Sequence, residues 1–158
     1  MSKITKVSQN CINLIIEFEC GNNIEKYLKA YTCPAGVLTI GIGTTIYPDG
    51  KKVKAGDIIT KEQAFEYLRF ELNRTEIVVD SFTTDAINQN QFDSLVSFAY
   101  NIGTNALKNS TLLKKVNLNV NDPTIRDEFK KWRLGGGKVL QGLIRRREAE
   151  AIYIFHNS

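Results

Sequence analysis

Apolar residues follow a helical period over most of this 158-residue chain, but the period disappears between residues 27 and 59. In that interval, turn-forming sequences at residues 34–36 and 47–50 lie on either side of a β-branched apolar run at residues 37–42. This pattern predicts a small antiparallel sheet between helical segments. The length is typical of one domain, so we expect an α+β fold, mainly α, over residues 1–158.

Helix-capping signals divide the predicted domain into two lobes. Ser8 precedes an amphipathic helix that Gly21-Asn22-Asn23 should end, and the sequence from Thr60 to Gln63 has the form of a capping box. We expect a small sheet lobe at about residues 20–60 and a helical lobe from residues 1–19 and 60–158, with a cleft between them. Further helices are predicted over residues 60–78, 88–101, 122–133 and 140–155, with short pieces around Leu107 and Leu112, and with Gly135-Gly136-Gly137 ending the 122–133 helix.

Basic residues are concentrated in the last third of the chain. Residues 106–158 carry 11 Lys and Arg against 5 Asp and Glu, whereas residues 1–105 carry 10 against 12. This asymmetry favours a polyanionic partner, but no nucleic-acid-binding motif accompanies it, and we expect no nucleic acid. The apolar runs are shorter than the roughly 20 residues of a membrane span, so we predict neither stable membrane insertion nor a signal peptide.

The cysteines and the single histidine do not form a metal-binding pattern. Cys11, Cys20 and Cys33 include no Cys-x-x-Cys pair, and His156 lies two residues from the C-terminus. We therefore predict three reduced thiols, no metal and no cofactor.

Glu19 occupies a position where the apolar stripe of its helix calls for another apolar residue. Desolvation favours the neutral form of a carboxyl group and raises its pKa, as a general acid requires. A strand over residues 37–43 would place Thr39, Gly41 and Gly43 on one face without bulk, where a ligand could approach the backbone.

The order of these motifs resembles that of phage-type lysozymes, or endolysins (glycoside hydrolase family 24). The signature of that family has a Glu, then an Asp or Cys, then a Thr. The matching segments are residues 15–19, 30–45, 89–103 and 110–113, Trp132, and residues 135–137 and 142–150.

The resemblance implies a lysozyme-like fold and cleavage of the β-1,4 bond between N-acetylmuramic acid and N-acetylglucosamine in peptidoglycan. Glu19 would protonate the leaving oxygen, and Cys33 and Thr39 would hold the attacking water. The implied substrate-binding residues are Gly43, Tyr100, Asn101 and Ser110.

The spacing before Cys33 departs from the family pattern. Thirteen residues separate Glu19 from Cys33, where the family has eight, although the five residues between Cys33 and Thr39 agree. Glu25 would leave seven and is the second candidate for the acid, but it would require the first helix to continue through its own stop signal. We favour Glu19, because loop insertions are well tolerated.

Other interpretations remain open at this stage. A thiol at Cys33 is a weaker base than a carboxylate, which allows a lytic transglycosylase forming 1,6-anhydro products. The altered spacing also allows a glycan-binding module without activity. Arg145-Arg146-Arg147 is typical of a solvated helix face, although one of the three arginines could face the acid. Because no signal peptide is predicted, we expect the protein to stay in the host cytoplasm until it is released to the cell wall, and we expect a monomer.

Overall fold

The protein is mainly helical, with two very small sheets. The computed structural model describes residues 3–21, 23–84 and 86–156, and its secondary structure confirms the predicted α+β class. A short 3-10 helix, Ile24–Tyr27, follows the first α-helix. The α-helices are α1 (Gln9–Cys20), α2 (Lys61–Phe82), α3 (Gln89–Ile102), α4 (Thr104–Lys108), α5 (Thr111–Leu118), α6 (Ile125–Lys130) and α7 (Gln141–Ile154), and the strands are β1 (Tyr31–Thr32), β2 (Leu38–Thr39), β3 (Leu134–Gly135) and β4 (Lys138–Val139).

The first helix begins and ends where the local signals predict. The Ser8 side chain accepts a hydrogen bond from the Cys11 backbone N–H, and Gly21 ends α1 in the left-handed region at φ +57°. Asn22, which belongs to the predicted stop signal, lies outside the described residues. The stop at Gly21 leaves Glu19 in the last turn of α1.

The first sheet is shorter than predicted. Strands β1 and β2 are antiparallel, with Tyr31 opposite Thr39 and Thr32 opposite Leu38. The expectation of a strand through Gly43 is wrong, because Gly41 and Gly43 have φ values of +62° and +76°, which an extended strand does not contain. The chain turns there instead, and the backbone N–H and C=O of Ile40 bond to those of Thr44 at 2.9 and 3.0 Å.

Two longer helices begin with complete capping boxes. Thr60 and Gln63 exchange side-chain and backbone hydrogen bonds at the start of α2, and Asn88 and Gln91 do so at the start of α3. The first box was predicted, but α2 continues to Phe82, four residues beyond the expected end.

The region from residue 122 to residue 139 differs most from the prediction. Helix α6 is shorter than the expected 122–133 helix at both ends: the Asp122 side chain caps a turn at Thr124 before the helix begins, and the helix ends at Lys130. The glycine run does not merely end a helix. Gly136 and Gly137, at φ +58° and +79°, form the turn of the β3–β4 hairpin, which the sequence reading missed.

Helix α3 lies at the centre of the hydrophobic core. It packs against α1, α2, α4 and α7, and every residue from Asn90 to Ala99 is buried. Ile40 and Ile42 from the first sheet region belong to the same buried cluster as the helices. Trp132 packs edge-on against Phe98, with ring centroids 5.5 Å apart, so it contributes to the core.

Several other features are absent from the part of the chain that the structure describes. No disulfide joins Cys11, Cys20 or Cys33 there. No group of three or more His, Cys, Asp or Glu side chains lies close enough to hold a metal ion. Among the described helices, none combines the length and apolar character needed to cross a membrane.

Glu128 should make the stability of the helical region depend on acid pH. Hydrogen bonds from Lys131 and Lys115 lower the pKa of this buried carboxyl group. A lowered folded-state pKa stabilises the protein above the unfolded value of about 4.3, and this contribution is lost as the pH falls through the folded-state pKa.

We therefore expect Glu128→Gln to lower the midpoint of thermal unfolding at neutral pH, with a difference from the parent that shrinks steadily below about pH 4. Differential scanning calorimetry across this range provides the measurement. Glu148→Gln, which changes an exposed side chain, is the control. A destabilisation by Glu128→Gln that is equally large at all pH values would contradict the prediction.

Candidate active site

A cavity of about 360 Å³ opens between the end of α1, the turn from β1 to β2, and the start of α7. It corresponds to the cleft predicted between the two lobes. Three of the predicted site residues line it together: Glu19, Cys33 and Asn101. The remaining lining residues are Phe18, Tyr31, Pro34, Ala35, Leu140, Gln141, Gly142, Leu143 and Arg146.

Glu19 is the acidic side chain of this cavity. Its side chain is 16% exposed, so it reaches solvent through the cavity while most of its surface is covered. One carboxylate oxygen, Oε1, accepts a hydrogen bond of 2.5 Å from Nη1 of Arg146. Glu19 therefore has a fixed orientation with one oxygen in an ion pair.

Arg146 comes from the arginine run, and its burial corrects the expectation of a solvated helix face. Arg146 and Arg147 are both buried, whereas Arg145 is exposed. Burial alone lowers the pKa of Arg146, but the negative charges of Glu19 and Glu150 outweigh this effect and raise the pKa above its usual value. Arg146 is therefore a permanent positive charge beside Glu19.

Gly43 lies directly against the Glu19 carboxyl group. An added Cβ at Gly43 would stand 2.6 Å from Oε2 of Glu19, far closer than a carbon and an oxygen can approach. The backbone at Gly43 thus forms a floor beneath the Glu19 carboxyl group. A residue with a side chain would force the carboxyl group to move.

Cys33 and Asn101 face the cavity from opposite lobes. Cys33 follows β1, where its backbone N–H donates to the Val37 carbonyl at 2.9 Å and its thiol is half-buried. Asn101 lies in the last turn of α3, and its buried Oδ1 atom has no hydrogen-bond partner among the described residues. Asn101 therefore lines the cavity while this oxygen is covered from solvent.

Three other predicted residues do not line the cavity. Tyr100 donates from its hydroxyl to the Ile42 carbonyl at 2.6 Å, and desolvation, followed by the charge of Glu19, raises its pKa. Thr39 is buried and donates to the Val37 carbonyl at 3.0 Å. Ser110 is also buried and serves as the N-cap of α5, accepting from the Leu113 N–H at 3.0 Å.

Glu25, the second candidate for the acid, lies in a different environment. It belongs to the 3-10 helix, its side chain is 66% exposed, and it pairs with Lys61 at 3.5 Å. It is not among the residues that line the cavity beside Cys33. The geometry favours Glu19.

The β3–β4 hairpin meets the β1–β2 turn at the edge of the cavity. An added Cβ at Gly136 would stand 2.9 Å from the Ala35 carbonyl oxygen, and one at Gly135 would stand 3.2 Å from the Ala35 Cβ. The two glycines therefore allow the hairpin to approach the turn closely. This contact links the two sides of the site.

The sequence profile described as Phage lysozyme matches residues 23–150. The chain belongs to the phage lysozyme family. The cavity beside Glu19 is therefore the candidate active site.

Phage endolysins are among the relatives of this family member. The chain is 41% identical to the endolysin of Bacillus phage B103 over 144 residues, which is 91% of this chain and 52% of that protein. It is 38% identical to the endolysin of Salmonella phage P22 over 127 residues, which is 80% of this chain and 86% of that protein. The chain thus spans about half of the Bacillus phage protein and most of the Salmonella phage protein.

A solved structure supports the same family assignment. The endolysin from Escherichia coli O157:H7 phage FAHEc1 superimposes with a TM-score of 0.79 at 36% identity, covering 95% of this chain and 93% of that one. The family profile begins after Glu19, but the stretch aligned with the Bacillus phage protein spans 91% of the chain and so includes Glu19. The lysozyme-like fold predicted from the sequence is confirmed.

A Gly43→Ala variant, compared with a control glycine, should distinguish the effect of displacing the Glu19 carboxyl group from the effect of backbone strain. Alanine at a positive φ costs about 1–2 kcal/mol wherever it occurs, and at Gly43 its Cβ would also displace the Glu19 carboxyl group. We expect Gly43→Ala to reduce the rate of peptidoglycan clearing by about 100-fold.

The control for this variant is Gly50→Ala. Gly50 has a similar φ of +87°, but nothing lies within 4 Å of an added Cβ. Gly43→Ala should lose at least as much stability in thermal unfolding as Gly50→Ala, and at a temperature where both variants are folded only Gly43→Ala should lose activity. Equal activity in the two variants would show that Gly43 does not position the acid.

Proposed function

We propose that this chain is an N-acetylmuramidase, a lysozyme that hydrolyses the β-1,4 bond between N-acetylmuramic acid and N-acetylglucosamine, and that it acts as a phage or prophage endolysin in host lysis. One observation carries the proposal. Glu19 is a mostly buried carboxyl group that opens into a cavity of sugar-binding size, and a buried arginine fixes its orientation.

Glu19 acts as the general acid in this proposal. Oε1 is held by Arg146, and Oε2 lies over Gly43. A protonated Glu19 gives its proton to the glycosidic oxygen as the bond to the anomeric carbon breaks. The fixed orientation lowers the entropic cost of reaching the geometry for proton transfer.

Cys33 holds the water that attacks the anomeric carbon. It lines the same cavity as Glu19 and comes from the opposite lobe from Arg146. Thr39 is buried and does not line the cavity, so in this proposal it acts indirectly: its hydroxyl donates to the same Val37 carbonyl that accepts from the Cys33 N–H. The pairing of β1 with β2 keeps Cys33 and Thr39 close together, since Cys33 directly follows β1 and Tyr31 of β1 lies opposite Thr39 of β2.

The remaining candidate residues bind or shape the sugar site. Asn101 lines the cavity, and an amide side chain can both donate to and accept from an acetamido group. The Tyr100 hydroxyl holds the carbonyl of Ile42, the residue before Gly43, and thereby supports the floor beneath Glu19. Ser110 caps α5, so we assign it an indirect role in shaping the cleft.

The substrate is a glycan strand of peptidoglycan, and we propose that the protein binds it as a monomer. The positive charge of residues 106–158 suits an anionic cell wall. The protein remains in the host cytoplasm until it is released to the cell wall.

A lytic transglycosylase is the second candidate, and Cys33 is the observation that favours it. A thiol stands where a carboxylate would be the stronger base. In that reaction, the 6-hydroxyl of muramic acid attacks its own anomeric carbon, and a 1,6-anhydro sugar forms without water.

Two matched substitutions test the assignment of the acid. We expect Glu19→Gln to lower the rate of peptidoglycan cleavage by at least about 100-fold, because glutamine cannot supply the proton. It should still fold, since Arg146 keeps Glu150 as a counter-charge. Glu25→Gln should remain active, because Glu25 is exposed outside the cavity. Loss of activity in Glu25→Gln, with activity retained in Glu19→Gln, would reverse the assignment.

Substitutions of Cys33 distinguish the two reactions. If Cys33 holds water, Cys33→Asp should retain or increase activity, and Cys33→Ala should lose about 10²- to 10⁴-fold. Mass spectrometry of products from purified peptidoglycan should then find reducing muramic acid ends. Mainly 1,6-anhydro ends, together with full activity in Cys33→Ala, would establish the transglycosylase instead.

A further inference from the structure

A second carboxylate lies behind the acid and does not reach the cavity. Glu150 follows Arg146 by one turn of α7, and its side chain is 0% exposed. Its Oε2 accepts hydrogen bonds from the Ser97 hydroxyl at 2.6 Å and from Nε of Arg146 at 3.3 Å, and its Oε1 lies 2.7 Å from Nε of Arg147. Glu150 thus connects both buried arginines with α3.

The partners of Arg146 fix its guanidinium group on three sides. Nε donates to Glu150, Nη2 donates to the Ser97 carbonyl at 3.0 Å, and Nη1 donates to Glu19. The group is planar and rigid, so holding two of its nitrogens sets the direction of the third. Glu150 and Ser97 therefore determine where Nη1 meets the acid.

We propose that Glu150 is a positioning residue for Glu19. Glu150 holds Arg146 and partly neutralises its charge, and in this way it determines both the orientation of Glu19 and the pH dependence of the reaction. This inference rests on the proposed role of Glu19 as general acid. Glu150 itself touches no substrate, because it is completely buried behind Arg146.

The argument depends on the balance of charge in this cluster. Two arginines and two carboxylates lie together, with Arg147 also stacked 5.0 Å from the Phe98 ring centre. A buried cation favours the ionised form of a nearby carboxyl group, whereas a second carboxylate opposes this effect. Without Glu150, both arginines would act on Glu19 alone, and the cluster around Glu19 would carry a net positive charge.

Other titratable groups surround the cluster, and several of them carry no charge that could act on Glu19 in the way that Glu150 does. Desolvation is the main cause of raised pKa values for Tyr31, Tyr100 and Cys11, so these groups stay neutral across the working range. Cys33 also lines the cavity, so the pH profile of activity described below is recorded for a Cys33→Ser variant as well, which removes any effect of the thiol on that profile. The remaining charged or titratable groups are Asp93 on α3, Glu71 and Glu76 on α2, Tyr153 on α7 and Cys20 on α1.

The test is the pH profile of peptidoglycan clearing at constant ionic strength, measured below the unfolding temperature of each variant. We expect Glu150→Gln to move the alkaline limb to lower pH by about 1 unit. Glu148→Gln is the matched control, because it removes the same charge from an exposed position on the same helix. It should leave the limb unchanged.

Arg147→Gln tests the same charge balance by removing a positive charge instead of a negative one. If Glu150→Gln does not fold, the pH profile of Arg147→Gln alone tests the proposal. Because this substitution removes a positive charge, the alkaline limb should move to higher pH. Opposite shifts in the two variants support the proposal. An unchanged limb, shifts in the same direction, or a uniform loss of rate at all pH values would overturn it and leave Glu150 with a structural role.

These results are distinguishable from a failure of the proposed function. If Glu19→Gln remains active, Glu19 is not the acid, and the proposal for Glu150 fails with it. If Glu19→Gln is inactive but the Glu150 and Arg147 profiles match the parent, only the inference about Glu150 is wrong.

Discussion

The last helix carries a positive charge into the protein interior, and the site depends on how that charge is balanced. Arg146 bonds to Glu19, which is 127 residues earlier in the chain, and to the carbonyl of Ser97 on the central helix. Burial of a guanidinium is costly unless opposite charges and hydrogen bonds compensate for its lost hydration. Helices α1, α3 and α7 must therefore be assembled together before this cost is met, and their assembly places Glu19 at the cavity.

Features decided by atoms a few residues apart could be predicted from the sequence. The caps at Ser8 and Thr60 involve side chains and backbone N–H groups three residues away, so the local sequence contains all the participants. The stop at Gly21 is equally local, since glycine alone readily adopts the left-handed conformation found there. These signals located the helix that carries Glu19, and the position of Glu19 on its apolar stripe made it the first candidate residue.

Features decided by distant parts of the chain could not be predicted in the same way. The arginine run gives no local sign that Arg146 and Arg147 are buried, because their partners include Glu19 and Ser97. Glu150, four residues after Arg146, was the available signal, since this spacing places the two side chains on one helix face. Likewise, consecutive glycines between Leu134 and Val139 form a hairpin turn, but beside a helix they are equally typical of a stop.

Glu19 and Cys33 line one cavity although an unusual number of residues separates them in the sequence. The connection between Glu19 and Cys33 includes the C-cap Gly21 and the 3-10 helix, where Ile24 is buried in the core. The buried Ile24 anchors this connection to the core, so the longer connection does not separate its ends. Glu19 and Cys33 still line one cavity, because α1 is fixed by Arg146 and Cys33 by the pairing of β1 with β2. General acid chemistry depends on where the carboxyl group lies relative to the bond that breaks, and neither of these constraints depends on the number of residues between the two side chains.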